Sequence, residues 1–204
     1  MLKIWGRVNS VNVKKALWCL EELRLPYERI EAGLQHGVVN TPEYRKMNPN
    51  GLVPTLEEDG FILWESHSIV RYLSAKYGNG VLWPQDERTR ATANQWMDWA
   101  FSFQGSVRDA FWNLIRTPAE KRDTKAIEAS RVKSGQLIAY LETALADGPY
   151  VAGSFSMGEI PIGCEVQRWM RLPLERPKIP NVEAWFERLL ARPAYKKIVD
   201  IPLT

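Results

Sequence analysis

A chain of 204 residues with an apolar share of 45% has enough to bury the core of one large domain or two small ones. Its 27 basic and 24 acidic residues leave a net charge of only +3, and they are interleaved, as in Glu120-Lys121-Arg122-Asp123, so no nucleic-acid-binding stripe is written here. Two cysteines without a CxxC pair and two histidines exclude a zinc cluster and point to a reducing, cytoplasmic compartment; no signal-peptide core or membrane-length apolar run is present.

Residues 2–5 read as a short buried strand stopped by Gly6. Residues 12–24 read as a helix, because Val13, Ala16, Leu17, Leu20 and Leu23 recur at helical spacing, with Ser10 or Asn12 as its cap. Residues 27–31 form a second strand after Pro26, which completes a βαβ unit with parallel strands. A polar loop holds Gly33 and Gly37, and Thr41-Pro42 starts a short helix. Asn48-Pro49-Asn50-Gly51 is a turn, and 53–57 and 61–64 are strands around Asp59-Gly60. Ser66 caps a helix over 66–77 that turns Ile69, Val70, Tyr72 and Leu73 inward.

Gly78-Asn79-Gly80 breaks that helix, and the best domain boundary follows it. The chain therefore divides into an α/β domain over 1–80 and an all-helical domain over 86–204. In the second domain 88–116 and 118–146 read as long helices. Ser156-Met157-Gly158-Glu159 reads as a capping box, with Phe155 and Ile160 as its hydrophobic staple. Asn181 is placed to cap a helix to Leu190, and Pro193 starts a last short one.

Three stretches of the first domain hold groups suited to a ligand. A proline at the mouth of a strand, Pro54, donates nothing to a ladder, and a cis Val53-Pro54 bond would turn the N–H and C=O of Val53 outward to pair with an extended peptide. Glu65 and Ser66 stand at a helix entry, where unpaired N–H groups and the positive end of the dipole suit a carboxylate. Glu65 beside them suits an ammonium, so the pair matches the end of an α-amino acid. Ser10 and Asn12, at the junction of strand and helix, can donate to a thiolate and lower a thiol pKa. A plain cap explains each stretch taken singly.

Taken together, Val53-Pro54, Glu65-Ser66 with Ile69-Val70-Arg71-Tyr72-Leu73 after it, and Ser10 with Asn12 resemble the cytosolic glutathione S-transferase superfamily, on the side of its bacterial theta- and delta-like, serine-type members. The stretch 156–159 looks like that family's capping box and extends the likeness over nearly the whole chain. The resemblance implies a thioredoxin-like N-terminal domain with glutathione as co-substrate, an all-helical domain with the electrophile pocket and dimer contacts, and a homodimer. Val53 would pair with the cysteinyl unit before a cis Pro54, and Glu65 and Ser66 would hold the γ-glutamyl ammonium and carboxylate. Ser10 is the first choice for the thiol-activating group, with Asn12 beside it.

The tyrosine-type and cysteine-type classes are set aside. Trp5 is the only aromatic near the first strand, and neither Cys19 nor Cys164 stands at the thiol position. Leu52 replaces a Lys or Arg common among relatives, which leaves Gln35 and His36 as substitutes for holding the glycyl carboxylate. Glu159 replaces the usual Asp. The implied activity is conjugation of glutathione thiolate to a small apolar electrophile, with Phe103, Phe111, Trp112 and Trp169 as aromatic candidates for that side. The alternatives are glutathione-dependent disulfide or peroxide reduction, and a non-catalytic interaction module on the same fold.

Overall fold

Residues Leu2–Trp5 alternate buried and half-buried side chains, and they form the first strand, β1. In the computed structural model, which describes residues 1–78 and 80–204, the chain divides into two compact units, Met1–Trp83 and Pro84–Thr204. Asn79, in the middle of the expected helix breaker, lies outside the described residues.

In the first unit β1 is followed by helix α1 (Val11–Glu22) and strand β2 (Tyr27–Ile30). The strands run parallel, from Leu2↔Tyr27 to Trp5↔Ile30. A 3-10 turn (Leu34–His36) and helix α2 (Pro42–Met47) come next, then strands β3 (Thr55–Glu58) and β4 (Phe61–Trp64) and helix α3 (Ser66–Tyr77). Both further pairings are antiparallel, and the sheet order is β2-β1-β3-β4. This is a thioredoxin-like arrangement. Its core holds Ile4, Val13, Ala16, Leu17, Leu20, Leu56, Ile69, Val70 and Leu73, where α1 and α3 pack together. Thr41 caps α2 as expected, accepting from Tyr44 N at 3.2 Å.

Several boundaries differ from the sequence reading. Helix α1 stops at Glu22, because Arg24 takes a left-handed φ of 53°. Strand β3 starts at Thr55, since Pro54 has no N–H for the ladder. Tyr72 is half-buried, with its hydroxyl donating to Glu58.

The second unit contains helices α4 (Glu87–Phe111), α5 (Thr124–Ala144), α6 (Glu159–Arg171), α7 (Pro180–Leu190) and α8 (Pro193–Ile198), and among its described residues there is no strand. The long helix expected over 88–116 changes at Trp112 into a π turn, Trp112–Arg116. The helix expected from Pro118 starts instead at Thr124, where Asp123 caps Lys125 N and Ala126 N at 3.0 Å. Asn181 is not a cap: it lies in the first turn of α7, and the Glu142 carboxylate of α5 caps that turn by accepting from Asn181 N at 3.1 Å and Val182 N at 2.9 Å.

The expected capping box is also absent. Ser156 Oγ accepts from Gly158 N at 3.3 Å, and the Glu159 carboxylate turns inward to accept from Val151 N at 2.8 Å and Trp185 Nε1 at 2.7 Å. Two buried donors, where a capping box would offer only the backbone N–H of Ser156, hold it there. Burial pushes the Glu159 carboxyl up to about 8, against the opposing pull of these two bonds.

Candidate functional site

The site is built at three junctions of the first unit. At the first, the chain leaves β1 through Gly6, where a Cβ would stand 2.4 Å from Val13 Cγ2, so α1 folds back closely on the strand. Ser10 is the N-cap of α1 in an extended conformation, buried, with its backbone oxygen accepting from Lys14 N at 2.9 Å and no cap bond from its hydroxyl. Asn12, in the first turn, accepts at Oδ1 from Lys15 Nζ at 3.0 Å.

The second junction is the turn before β3. Asn48 is buried and ties it together. Its Nδ2 donates to Leu52 O at 2.9 Å and Thr55 Oγ1 at 3.1 Å, and its Oδ1 accepts from Asn50 N at 3.1 Å. Tyr44 donates to Leu52 O at 2.7 Å and stands 2.8 Å from Thr55 Oγ1. A hydroxyl has one proton, so with Tyr44 donating to Leu52, Thr55 donates to Tyr44 and accepts from Asn48. Gly51 turns the chain at φ +60°, where a Cβ would meet the Arg45 guanidinium at 2.4 Å. The peptide that follows, Val53-Pro54, is cis. Among the described residues, Val53 N and O make no backbone hydrogen bond.

The third junction is the head of α3. Glu65 is its N-cap and holds a left-handed φ of 70°, a conformation that costs a residue with a Cβ about 1–3 kcal/mol. The Glu65 side chain makes no cap hydrogen bond: Glu65 is exposed, Ser66 is buried, and Glu65 O accepts from Ile69 N at 2.9 Å.

These junctions meet on one concavity of about 300 Å³, open solvent included, lined by Asn12, Asn48, Asn50, Leu52, Val53, Pro54, Glu65 and Ser66. Its enclosed part is only about 50 Å³, well below an ordinary ligand pocket, so a ligand would lie along its walls as in an open groove. The structure thus brings together Asn12, Val53, Pro54, Glu65 and Ser66. Ser10 is not part of the lining. Gln35 and His36 are not either: they contact one another at 3.0 Å, and His36 lies 3.4 Å from Glu31. Leu52 is exposed and lines the wall, so the wall carries an apolar side chain and no cation at this position.

Sequence reasoning missed Asn48 and Asn50. The Asn-Pro-Asn-Gly pattern signalled a turn, and nothing in it told that Asn48 is buried with its amide fully engaged. Cys19 is buried on α1, and burial pushes its thiol up to about 12, which leaves it protonated and unreactive. Of the aromatic candidates in the second unit, Phe103, Phe111 and Trp169 are core, while Trp112 is exposed under the Arg116 guanidinium at 4.6 Å.

Comparison with known proteins gives the family. Residues 6–81 match the family described as glutathione S-transferase, N-terminal domain. The glutathione S-transferase GstB of Escherichia coli K12 is 43% identical over 208 residues, covering 100% of each chain. The structure is similar, at a TM-score of 0.96 and 48% identity, to a theta class glutathione S-transferase from the citrus canker pathogen Xanthomonas axonopodis pv. citri with glutathione bound, covering 100% of this chain and 99% of that one. Glutathione transferase F7 from Populus trichocarpa matches at a TM-score of 0.87 and 26% identity, over 97% of both chains.

Proposed function

The chain belongs to the glutathione S-transferase family, and from that premise we propose that it is a glutathione transferase joining the sulfur of glutathione to the electrophilic carbon of a small apolar substrate. The observation that carries this reading is the meeting of Asn12, Val53, Pro54, Glu65 and Ser66 on one concavity. The Glu65 carboxylate takes the γ-glutamyl ammonium. The Ser66 hydroxyl and the first N–H groups of α3 take the γ-glutamyl carboxylate. The Val53 N–H and C=O pair with the cysteinyl unit as a strand would.

The Asn12 amide and the Ser10 hydroxyl are the proposed donors to the sulfur, with Asn12 favoured because it lines the concavity. Lowering the thiol pKa by one unit stabilises the thiolate by about 1.4 kcal/mol. The thiol proton leaves to solvent, and the thiolate forms the S–C bond as the leaving group departs with its electron pair. Leu52 offers the glycyl carboxylate no charge, and Gln35 and His36 are its proposed partners. The protein is proposed to work as a homodimer in the cytoplasm, in detoxification. Two buried free cysteines suit a reducing compartment, and no helix among the described residues is long and apolar enough to cross a membrane.

The test compares turnover of an aryl halide, a hydroperoxide and a mixed disulfide, with retention on immobilised glutathione measured in parallel. Retention and aryl halide turnover are expected. Faster turnover of the hydroperoxide or the disulfide would replace conjugation with reduction. Failure to be retained would leave a non-catalytic module on this fold.

A further inference from the structure

Lys15 lies on α1, one turn beyond Asn12, and is fully buried. Its Nζ stands 3.0 Å from Asn12 Oδ1 and 3.2 Å from His67 Nε2. His67 is itself buried and follows Ser66 in the first turn of α3. A cation therefore sits directly behind two parts of the concavity wall, the Asn12 side and the α3 side.

The chemistry of an ammonium fixes what its neighbours present to it. It has three donors and no acceptor. The Asn12 atom that meets it is therefore the carbonyl oxygen, and the other end of the amide carries the two N–H donors. Toward an ammonium, the His67 nitrogen at 3.2 Å can only accept. An asparagine free to flip would offer a bound sulfur either an oxygen or an N–H. The first repels a thiolate and the second stabilises it.

We propose that Lys15 is a positioning residue for the chemistry of the concavity: it holds Asn12 by its oxygen, so that the Nδ2 donors are what Asn12 presents to the sulfur of glutathione. Through His67 the same ammonium ties this setting to the turn that carries Ser66. The inference rests on the reading that Asn12 faces the sulfur. The titratable group among the residues lining the concavity is Glu65, which that reading assigns to the ammonium end of the ligand.

Four variants and one spectrum test it. Lys15→Met removes the donor but keeps an unbranched buried side chain. Lys15→Gln keeps a neutral donor toward Asn12. The readout is the pH midpoint of kcat/KM for an aryl halide, checked by the ultraviolet absorbance of bound thiolate. Lys15→Met is expected to raise the midpoint by about one unit, a tenfold loss of thiolate below it, with the KM for glutathione nearly unchanged. Lys15→Gln is expected to stay nearer the parent, and Lys15→Met is expected to add nothing in an Asn12→Ala background. An unmoved midpoint in Lys15→Met, equal shifts in the Met and Gln variants, or a full shift persisting without Asn12 would each overturn the proposal.

If Asn12→Ala alone leaves the midpoint in place, the assignment of Asn12 to the sulfur fails as well; if it moves the midpoint and Lys15→Met does not, only the role of Lys15 fails. The spectrum uses the unaltered protein with 15N-labelled asparagine. The Asn12 Nδ2 signals are expected to move with glutathione and not with its S-methyl derivative. No movement with glutathione, or equal movement with both, would overturn the orientation.

Discussion

The heads of α3 and α6 are both built around a glutamate and a serine, and they end in opposite states. At α3, Glu65 is exposed in a left-handed conformation, its side chain makes no cap bond, and Glu65 and Ser66 line a concavity. At α6, Glu159 is fully buried, and its two oxygens are taken by Val151 N and Trp185 Nε1. The same residue types thus make the wall of an open concavity in one place and a sealed joint in the other. What separates them is whether partners from the chain itself fill the hydrogen-bonding capacity. A filled site holds the fold, and an unfilled one with a strained backbone is available for a ligand.

The sharpest way to break this comparison is to remove each glutamate–serine site in turn and ask whether stability or binding responds. Glu159→Ala leaves two buried donors without an acceptor and is expected to cost about 3 kcal/mol or more. That corresponds to a fall in melting temperature of about 6–12 °C for a chain of this size, with glutathione affinity little changed. The same carboxyl gives a pH dependence. Its folded pKa of about 8 stands above the ordinary value of 4.5, so between those values the folded protein keeps a proton that the unfolded chain releases. The contribution of Glu159 to stability is therefore expected to be full below about pH 4.5 and to decline as pH rises toward about 8. Thermal melts across that range should show the decline, and Glu159→Gln should flatten it.

Ser66→Ala is the counterpart at the other helix. Loss of a hydrogen bond to a charged group predicts about tenfold to a hundredfold weaker glutathione binding, with the melting temperature nearly unmoved. A calorimetric titration beside a melt separates the two responses. Ser10→Ala and Asn12→Ala are expected to leave binding largely intact and to raise the midpoint of the thiol titration by up to about one unit, with Asn12 giving the larger shift. The smallest effect is expected from Leu52→Lys. An exposed ion pair with the glycyl carboxylate contributes about 0.2–1 kcal/mol, so the KM for glutathione should fall by no more than about fivefold and lose that gain at high salt.

The order of elements was legible in the sequence because period and punctuation agree. Val13, Ala16, Leu17 and Leu20 mark α1, and Asp59-Gly60 marks the β3–β4 turn. Val53-Pro54 and Glu65-Ser66 were legible as well, since proline and helix-entry chemistry act locally. Contacts between distant residues were not. Glu159 reads as half of a local capping box until Trp185 is brought to it, and Asn181 reads as a cap until Glu142 takes that place. Lys15 was the least visible, because a lysine in a run of lysines reads as solvated, yet both Lys14 and Lys15 are buried. Sequence pattern shows which face of a helix is apolar, and it does not show which cation the fold encloses.

The central claim is that the concavity between Val53-Pro54 and Glu65-Ser66 is a glutathione site, and a crystal structure of the protein soaked with glutathione tests it most directly. The account predicts the γ-glutamyl end on Glu65 and Ser66, the cysteinyl backbone paired with Val53, and the sulfur within hydrogen-bond distance of Asn12 Nδ2 or Ser10 Oγ. Glutathione bound elsewhere, or seated here with its γ-glutamyl end away from Glu65 and Ser66, would contradict it.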